Sequence, residues 1–395
     1  MAYTELVADS PMPMTLPARY YTDPAIFHDE IERLFFGRWI CVGRTERIRN
    51  AGDYFLVELA GECVIVTRAA DGALRAFYNV CRHRGTRMCT TTEGSLGASI
   101  QCPYHGWTYG LDGSLIGAPH MDQPGFVRAD YPLRTVAIDT WDGHIFLNFS
   151  AEPRPLAAQL GALPERFAAW GMGELRLHRR IVYDVKANWK LVVANYNECL
   201  HCPLVHPTLN RLTDYLGADN EPPTADYIGG AMGFRAGAET MSFGGVRKRE
   251  YLPGLSAEQR KIVQYYAIYP NLLLALHPDY MMVHTLWPKS AGRTEIVCEW
   301  HFHPEEMAKS DFEGDDAVEF WDQTNLQDWG ISELSQLGIA SRAYTPGPYS
   351  PREALLHAFD RVCAESTTLA ANSVTIKHWT HAPSGPSEGN SLNEP

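Results

Sequence analysis

Several features that would direct this sequence to a membrane, a phosphate group or the cell exterior are absent. No apolar run approaches the ~20 residues that a membrane-spanning helix requires, and the longest candidate, residues 271–276, has the length of a core strand. The sequence contains no internal repeat and no glycine-rich phosphate loop, and its first residues lack the basic and apolar regions of a signal peptide. We therefore expect a cytoplasmic protein with no membrane contact.

Positive charge is also scarce. The chain has 34 lysine and arginine residues against 47 aspartate and glutamate residues, for a formal net charge of -13. Such a surface repels a phosphate backbone, so nucleic acid is not an expected partner.

The nine cysteines are odd in number and spread along the chain, which argues against a secreted disulfide scaffold and predicts reduced thiols. Reduced thiols beside fifteen histidines raise the prospect of metal binding.

The length of 395 residues and the ordinary globular composition predict about two or three domains, and the mixture of helical and strand-like segments predicts an α+β fold. Residues 1–40 are predicted to form an N-terminal helical segment. Short alternating runs separated by turn signals predict a small antiparallel β domain over residues 41–150. Residues 151–381 begin with a proline-rich linker and combine helices with a strand-rich middle, which predicts an antiparallel sheet covered by helices. Residues 382–395 are rich in Ser, Gly, Pro and Asn and are predicted to form a flexible tail.

The most specific motif places one cysteine and one histidine in each of two short segments. Cys81 and His83 are separated by one residue, and Cys102 and His105 by two. Zinc also takes sulfur and nitrogen ligands, but zinc sites usually pair like residues within each short motif. A [2Fe–2S] cluster of the Rieske type needs two thiolates on one iron and two imidazoles on the other. The pattern therefore favours a Rieske cluster held by two adjacent hairpin tips, with Trp107 shielding it from solvent.

A second candidate metal site follows about a hundred residues later. Glu198, His201 and His206 occur within one segment, and Pro203 and Pro207 would distort the chain enough to bring the second histidine toward the first. Two histidines and one carboxylate form the facial triad of non-haem Fe(II) oxygenases, which leaves coordination positions open for dioxygen. Two histidines near prolines are more often structural, so this interpretation depends on the Rieske motif that precedes it.

Together, the two motifs resemble the α subunit of the Rieske non-haem iron oxygenases in both order and spacing. The resemblance implies a Rieske β domain followed by a catalytic domain, in which His201 and His206 bind a mononuclear Fe(II). The third iron ligand would be a carboxylate on a late helix, where Asp322 and Asp328 compete. We favour Asp328, because the family often places its ligand aspartate five residues before a glutamate, and Glu333 stands at that distance.

The resemblance also implies a route for electrons. In this family a carboxylate three residues before the first iron histidine bridges to a Rieske histidine of the neighbouring subunit. Glu198 has that position, and His105 is its expected partner. This implies a homotrimer that takes electrons from a separate NAD(P)H-dependent flavin and iron–sulfur reductase or a ferredoxin, with dioxygen as co-substrate. Within the most similar branch an acidic residue commonly precedes the Asn195–Tyr196 pair, where this chain has Ala194, so a role of that acid does not transfer.

The branch in question contains the glycine betaine, carnitine and choline monooxygenases, and the run Ser341–Pro351 supports it. This predicts hydroxylation or oxidative N-demethylation of a small quaternary-ammonium or betaine-like substrate. A trimethylammonium group needs an aromatic cage. The strand-rich middle offers five candidates for that cage: Tyr265, Tyr266, Tyr269, Tyr280 and Trp287.

Three alternatives are distinguishable by simple observations. An aromatic-ring dihydroxylating dioxygenase would use the same metals with a more apolar pocket and would release a cis-diol. A bare Rieske electron carrier would not need the long segment that follows the cluster domain. A zinc-stabilised interaction protein would be colourless, whereas a Rieske protein is brown and contains acid-labile sulfide.

Overall fold

The computed structural model describes residues 12–368, so the predicted tail at residues 382–395 lies outside the described part of the chain. Within the described part, the fold is α+β and every sheet is antiparallel. Among the same residues, no helix is both long enough and apolar enough to cross a membrane. The α-helices are α1 (Arg19–Thr22), α2 (Pro24–Glu30), α3 (Leu156–Leu160), α4 (Leu163–Phe167), α5 (Trp189–Tyr196), α6 (Cys202–Val205), α7 (Pro304–Met307), α8 (Asp315–Ile339) and α9 (Ala354–Thr368).

Ten short strands form the predicted small β domain, arranged in three sheets of order β4-β3-β2-β5, β6-β7-β8 and β1-β10-β9. Alternation of buried and less buried side chains is observed in β2, whereas the five central residues of β3 are all buried. The strands are β1 (Ile40–Arg44), β2 (Asp53–Leu59), β3 (Glu62–Arg68), β4 (Leu74–Tyr78), β5 (Glu93–Ser95), β6 (Ser99–Gln101), β7 (Thr108–Gly110), β8 (Leu115–Gly117), β9 (Ala137–Trp141) and β10 (His144–Asn148).

Seven strands form one sheet in the second half of the chain, with the order β11-β17-β16-β15-β14-β13-β12. Helices α5 and α8 contact each other, and they contact strands β16 and β11 respectively. This is the predicted sheet covered by helices. The strands are β11 (Arg176–Val185), β12 (Thr213–Asn220), β13 (Tyr227–Phe234), β14 (Ile262–Ile268), β15 (Leu272–Leu276), β16 (Met281–Ser290) and β17 (Arg293–Phe302).

The N-terminal segment is tied to the catalytic half by a buried ion pair. Asp23 caps α2 by accepting the Ala25 N–H at 2.8 Å, and α2 carries Glu30 into the core. Lys190 Nζ lies 2.6 Å from Glu30 Oε1, and both side chains are fully buried. Trp189 Nε1 donates to the other oxygen of Glu30 at 2.9 Å. Because an unpaired buried charge is costly, this arrangement fixes the start of α5 against α2.

Two side chains of α8 hold the entry to α5. Glu333 Oε1 accepts the N–H of Lys186 at 2.9 Å, and Gln336 Oε1 accepts that of Asn188 at 2.9 Å. Asn188 is itself the N-cap of α5 and accepts the N–H of Lys190. Glu333, whose spacing favoured Asp328 in the sequence, therefore has a structural role. It aligns α8 with the segment that leads to the histidines.

Glycines shape two parts of the fold that the sequence prediction did not specify. Residues 156–170 contain two short helices, α3 and α4, separated at Gly161, whose φ of 56° ends the first. Strands β12 and β13 were not predicted, because the glycines of β13 are typical of a turn. A side chain at Gly229 would collide with the Tyr265 carbonyl, and one at Gly230 with that of Asp219. These glycines therefore permit close pairing of strands.

Candidate active site

The two predicted cluster segments fold into matching turns. The N–H of Cys81 and that of Cys102 each bond the carbonyl five residues later, at 2.9 and 2.8 Å. Four residues after each cysteine, Gly85 and Gly106 return an N–H bond to the cysteine carbonyl. Both glycines have a positive φ, which glycine adopts without steric cost. The two segments consequently present their side chains in the same way.

The four predicted cluster residues meet in two like pairs. Cys81 and Cys102 are buried, and their thiols are close enough to hydrogen-bond. His83 and His105 lie with ring centroids 4.6 Å apart, and Trp107 stacks on His83 as expected of a shield. His83 Nδ1 is buried without a hydrogen-bond partner among the described residues, an arrangement that metal coordination would relieve. A thiol pair beside an imidazole pair is the donor set of a Rieske cluster.

Tyr109 is a neighbour of this site that the sequence did not indicate. Its hydroxyl oxygen accepts the N–H of Arg82 at 2.9 Å and lies 3.4 Å from Cys81 Sγ. Hydrogen bonds to cluster sulfurs help to set the reduction potential of iron–sulfur centres. The only sequence signal was its position two residues after Trp107, on a strand adjoining the second turn.

The second predicted site is assembled as a compact triad. His201, His206 and Asp328 offer ligand atoms that lie within 4.8 Å of one another. His206 Nε2 is 2.7 Å and His201 Nε2 is 3.3 Å from the same oxygen, Asp328 Oδ1. Pro203 lies in the first turn of α6, and His206 follows this short helix, so the chain reverses between the two histidines as predicted.

The outer nitrogen of each histidine has its own acceptor. His201 Nδ1 is 2.6 Å from Glu198 Oε1, and His206 Nδ1 is 2.7 Å from Gln327 Oε1. Metal-binding histidines usually donate their second N–H in this way, which fixes the ring and its tautomer. Both Nε2 atoms remain directed at Asp328, so the donor set fits a divalent iron.

Electrostatics at the triad also fit a site that holds a cation. Burial lowers the pKa of His201, but hydrogen bonds to Asp328 and Glu198 outweigh burial and raise that pKa to about 9. Burial raises the pKa of Asp328, yet hydrogen bonds from both histidines bring it below its ordinary value. The carboxylates thus stabilise positive charge at the point where the ligand atoms converge.

The structure brings only one of the two competing aspartates to the histidines. Asp322, six residues before Asp328 on α8, accepts a hydrogen bond from the Tyr183 hydroxyl at 2.7 Å. That contact fastens the helix to β11. Asp328 is therefore the aspartate placed where a third ligand is needed.

A cavity of about 530 Å³ adjoins the triad, and His201, His206 and Asp328 form part of its wall. Glu198 and Glu221 add carboxylates to the lining, although Glu221 is paired with Arg166. Arg352 is the single lysine or arginine in the described lining. Four aromatic residues also line the cavity: Tyr196, Tyr215, Tyr265 and Trp321.

Of the five aromatic residues proposed from the sequence for a cage, only Tyr265 lines this cavity. Tyr266 points to the opposite face of β14 and packs on Phe167. Tyr269 and Tyr280 are buried in the core, and Trp287 lines a different cavity near the β2–β3 hairpin. The prediction was wrong for these four. Whether a side chain reaches the cavity depends on which face of the folded sheet it occupies, and the sequence does not show which face meets the helices.

The ring of Tyr265 is accompanied by aromatic residues from the two helices. Its centroid lies 6.1 Å from that of Tyr196 on α5 and 6.3 Å from that of Trp321 on α8. Trp321 is held in place by donating its Nε1–H to the Tyr280 hydroxyl at 2.7 Å. Sequence spacing alone did not single out Tyr196 and Trp321, although each lies within eight residues of a predicted iron ligand.

Two cysteines beside the triad are joined. Cys199 and Cys202 form a disulfide with their Cα atoms 5.0 Å apart, so the expectation of reduced thiols is wrong for this pair. Both residues also line the cavity. The other seven cysteines are free and buried.

Comparison with known proteins agrees with this geometry. Residues 38–138 match the Rieske [2Fe-2S] domain family, and residues 172–368 match the ring hydroxylating alpha subunit (catalytic domain) family. The glycine betaine monooxygenase oxygenase subunit of Pseudomonas aeruginosa is 30% identical over 364 residues, which cover 85% of each chain. The carnitine monooxygenase oxygenase subunit of Escherichia coli (strain K12) is 38% identical over 196 residues, covering 49% of this chain and 52% of that protein.

Solved structures show the same architecture. The quaternary ammonium Rieske monooxygenase CntA, in complex with its substrate L-carnitine, superposes with a TM-score of 0.76 at 25% identity, covering 91% of this chain and 97% of CntA. Naphthalene 1,2-dioxygenase from Rhodococcus sp. superposes with a TM-score of 0.74 at 18% identity, covering 93% and 97%, and shares the fold. The chain therefore belongs to the Rieske non-haem iron oxygenases, as an α subunit with a [2Fe–2S] Rieske domain and a mononuclear-iron catalytic domain.

Proposed function

We propose that this oxygenase hydroxylates or oxidatively N-demethylates a small quaternary-ammonium or betaine-like substrate. The observation that carries the proposal is the composition of the cavity beside the triad. Tyr196, Tyr265 and Trp321 line this cavity beside the triad. Aromatic rings attract a trimethylammonium group through cation–π contacts, and a neutral hydrocarbon lacks the charge that makes this attraction specific.

The metal ligands are proposed residue by residue. Cys81, Cys102, His83 and His105 would hold the Rieske cluster, and the triad of His201, His206 and Asp328 would hold Fe(II). The bound iron would supply open coordination positions for dioxygen. The surrounding residues orient these ligands and the substrate: Glu198 and Gln327 fix the two imidazoles, and the cavity walls limit the access of water.

Relatives support this substrate class. The curated relatives include monooxygenases named for glycine betaine, carnitine and choline, and CntA has been solved with L-carnitine and with gamma-butyrobetaine. These substrates combine a trimethylammonium group with a carboxylate or hydroxyl group. Arg352 lines the cavity and is suited to bind an anionic end of the substrate. Within the described part of the chain its guanidinium donates one hydrogen bond, to the Leu216 carbonyl, which leaves other N–H groups for a carboxylate.

We further propose a cytoplasmic homotrimer that takes electrons from a separate NAD(P)H-dependent reductase or ferredoxin and delivers them between subunits. Large apolar side chains are exposed next to the triad elements. Leu204, three residues after His201, is 89% exposed, and Leu334 and Leu337 on α8 are 64% and 71% exposed. Leu334 and Leu337 are three residues apart and therefore share a face of α8, and exposed apolar faces are typical of interaction surfaces. In a trimer, His105 of one subunit would meet Glu198 of the next.

The test is a substrate screen with the reconstituted reductase, monitoring oxygen uptake and formaldehyde. Each quaternary-ammonium compound is paired with its carbon isostere, in which a tert-butyl group replaces the trimethylammonium group. We expect the cation to be turned over with formaldehyde or a single hydroxyl as product, and the isostere to bind at least roughly tenfold more weakly, as loss of a desolvated cation–π contact predicts. Equal turnover of both members would contradict the proposed recognition.

A matched pair of variants locates the cage. Tyr265→Leu is expected to raise the KM for the cation while leaving the KM for the isostere nearly unchanged. Trp287→Leu serves as the control, because Trp287 lines a separate cavity. This substitution should leave the KM for the cation and the KM for the isostere unchanged. Formation of a cis-diol from an aromatic compound would instead favour the alternative dioxygenase activity, which is supported here only by fold similarity to naphthalene 1,2-dioxygenase.

A further inference from the structure

The disulfide between Cys199 and Cys202 encloses the turn that contains a predicted iron ligand. His201 lies between the two cysteines in sequence, and Glu198 immediately precedes the first. Within the turn, Cys202 N–H bonds the Cys199 carbonyl at 3.0 Å. The cross-link therefore closes a four-residue loop that includes His201, whose Nδ1 atom lies 2.6 Å from Glu198 Oε1 just outside the loop.

The other restraints on this turn are non-covalent: Glu198 accepts from His201 and from the N–H of Leu200, and Cys202 packs in the core. The turn leads into α6, which has only four residues and no side-chain cap at its N-terminus. Leu204, within α6, is almost fully exposed. Short uncapped helices have little stability of their own, so the disulfide adds a covalent restraint to the non-covalent contacts that position His201 relative to His206 and Asp328.

We propose that Cys199 and Cys202 are a reversible oxidation site that controls how firmly the turn, and with it the mononuclear iron, is held. In the disulfide form the triad is assembled, as the structure shows. In the dithiol form the turn is freer and iron exchanges faster. The inference rests on the assignment of iron to the triad, and the two cysteines act as positioning residues rather than ligands.

The redox step needs an oxidant that reaches the cavity. Both cysteines line the cavity, so a small peroxide has access to their thiols through it. Hydrogen peroxide would oxidise the pair by removing two hydrogen atoms: one sulfur–sulfur bond forms, the peroxide bond breaks, and two molecules of water are released. A dithiol or phosphine reductant returns both thiols. Geometry permits the bond, because a Cα separation of 5.0 Å lies within the usual range for disulfides.

The experiment combines mass spectrometry with iron release. Full-length protein loaded with Fe(II) is treated with a phosphine reductant or left oxidised, and a ferrous chelator is added without substrate. We expect the oxidised peptide that contains both cysteines to be lighter by two hydrogen atoms, and reduction to accelerate iron release roughly tenfold, a typical consequence of loosening the support of a metal ligand. Absorbance of the Rieske cluster reports whether reductant or chelator has damaged the other centre.

The double variant Cys199→Ser with Cys202→Ser is the matched control. It should release iron at the rate of the reduced wild type, with or without reductant. Free thiols at both positions after stoichiometric peroxide, or identical release rates before and after reduction, would overturn the proposal. Protein that forms the disulfide but binds no iron beyond the cluster would instead refute the proposed triad, so the two failures are distinguishable.

Discussion

Glu198 illustrates how one side chain serves two contacts at the scale of the residue. Its Oε1 atom accepts from His201 Nδ1 at 2.6 Å, and its Oε2 atom accepts the N–H of Leu200. The carboxylate thus fixes the ring of a proposed iron ligand, and it remains partly exposed. The proposed electron transfer to a neighbouring subunit would depend on a further contact of this carboxylate, whereas metal binding would not.

Replacement of Glu198 separates these roles. Glu198→Gln should retain both metals, because the amide oxygen still accepts from His201, but should lower coupled turnover by roughly a hundredfold, because the amide NH₂ group cannot accept from a second histidine. Iron and sulfide analysis with formaldehyde formation measures both effects. Glu198→Asp, which keeps the charge, is expected to recover part of the activity. Full activity in Glu198→Gln would exclude the bridging role.

The choice between the two aspartates is tested by the same substitution at each. Asp328→Asn should lose the mononuclear iron and all turnover, because the amide is a poor substitute for an anionic oxygen ligand. Asp322→Asn should retain iron, since Asp322 contacts the Tyr183 hydroxyl rather than the histidines. The measurement is the iron content of each variant in excess of the iron in its Rieske cluster. Loss of iron in Asp322→Asn alone would reverse the assignment.

At the scale of the element, α9 carries a buried acid that links stability to pH. Asp360 is buried, which raises its pKa to about 7 despite a 2.7 Å hydrogen bond from the Tyr349 hydroxyl and the nearby charge of Lys190. The unfolded chain releases this proton near the ordinary pKa of 3.8. Between these two pH values the folded state holds a proton that the unfolded state has lost, so stability falls as the pH rises.

This contribution predicts a pH-dependent effect of one substitution. Asp360→Asn mimics the protonated acid and should not lose the corresponding stability, which amounts to at most about 1.4 kcal/mol per pH unit across the window. The Tm of the variant relative to wild type should therefore increase from pH 5 to pH 8. Asp311→Asn, at an exposed position, is the control and should show a constant difference. A constant difference in Asp360→Asn as well would refute the raised pKa.

At this scale, some features of the structure could be predicted from the sequence and others could not. Spacing identified both metal motifs, because the order and separation of the ligands are local properties, and the family resemblance pointed to a late helix for Asp328. Strand β13 could not be predicted. A side chain at Gly229 or Gly230 would collide with the backbone of a neighbouring strand, and these strands come close only in the folded sheet. The cage had the same limit: Tyr265 and Tyr266 are adjacent in sequence, yet they point to opposite faces of the sheet.

At the scale of the whole molecule, the two proposed metal centres lie in different domains, and the electron route must connect them. Packing between the halves is specific: Asn271 in the catalytic half exchanges two hydrogen bonds with the backbone of Cys41 in β1, at 2.9 and 2.8 Å. A rigid junction of this kind fixes each cluster relative to its own catalytic domain. Transfer to the iron of a neighbouring subunit then requires a ring of head-to-tail contacts, as in a cyclic trimer.

Mixed trimers test that route directly. Cys102→Ala should lack the cluster but keep the iron site, and Asp328→Ala should lack the iron but keep the cluster, so each pure variant is inactive. When both are co-expressed with different affinity tags and purified through both, every mixed trimer contains one junction where an intact cluster faces an intact iron site in the next subunit. Activity should therefore recover to about a third of the wild-type value. Transfer within one subunit predicts no recovery, because no single chain then carries both centres.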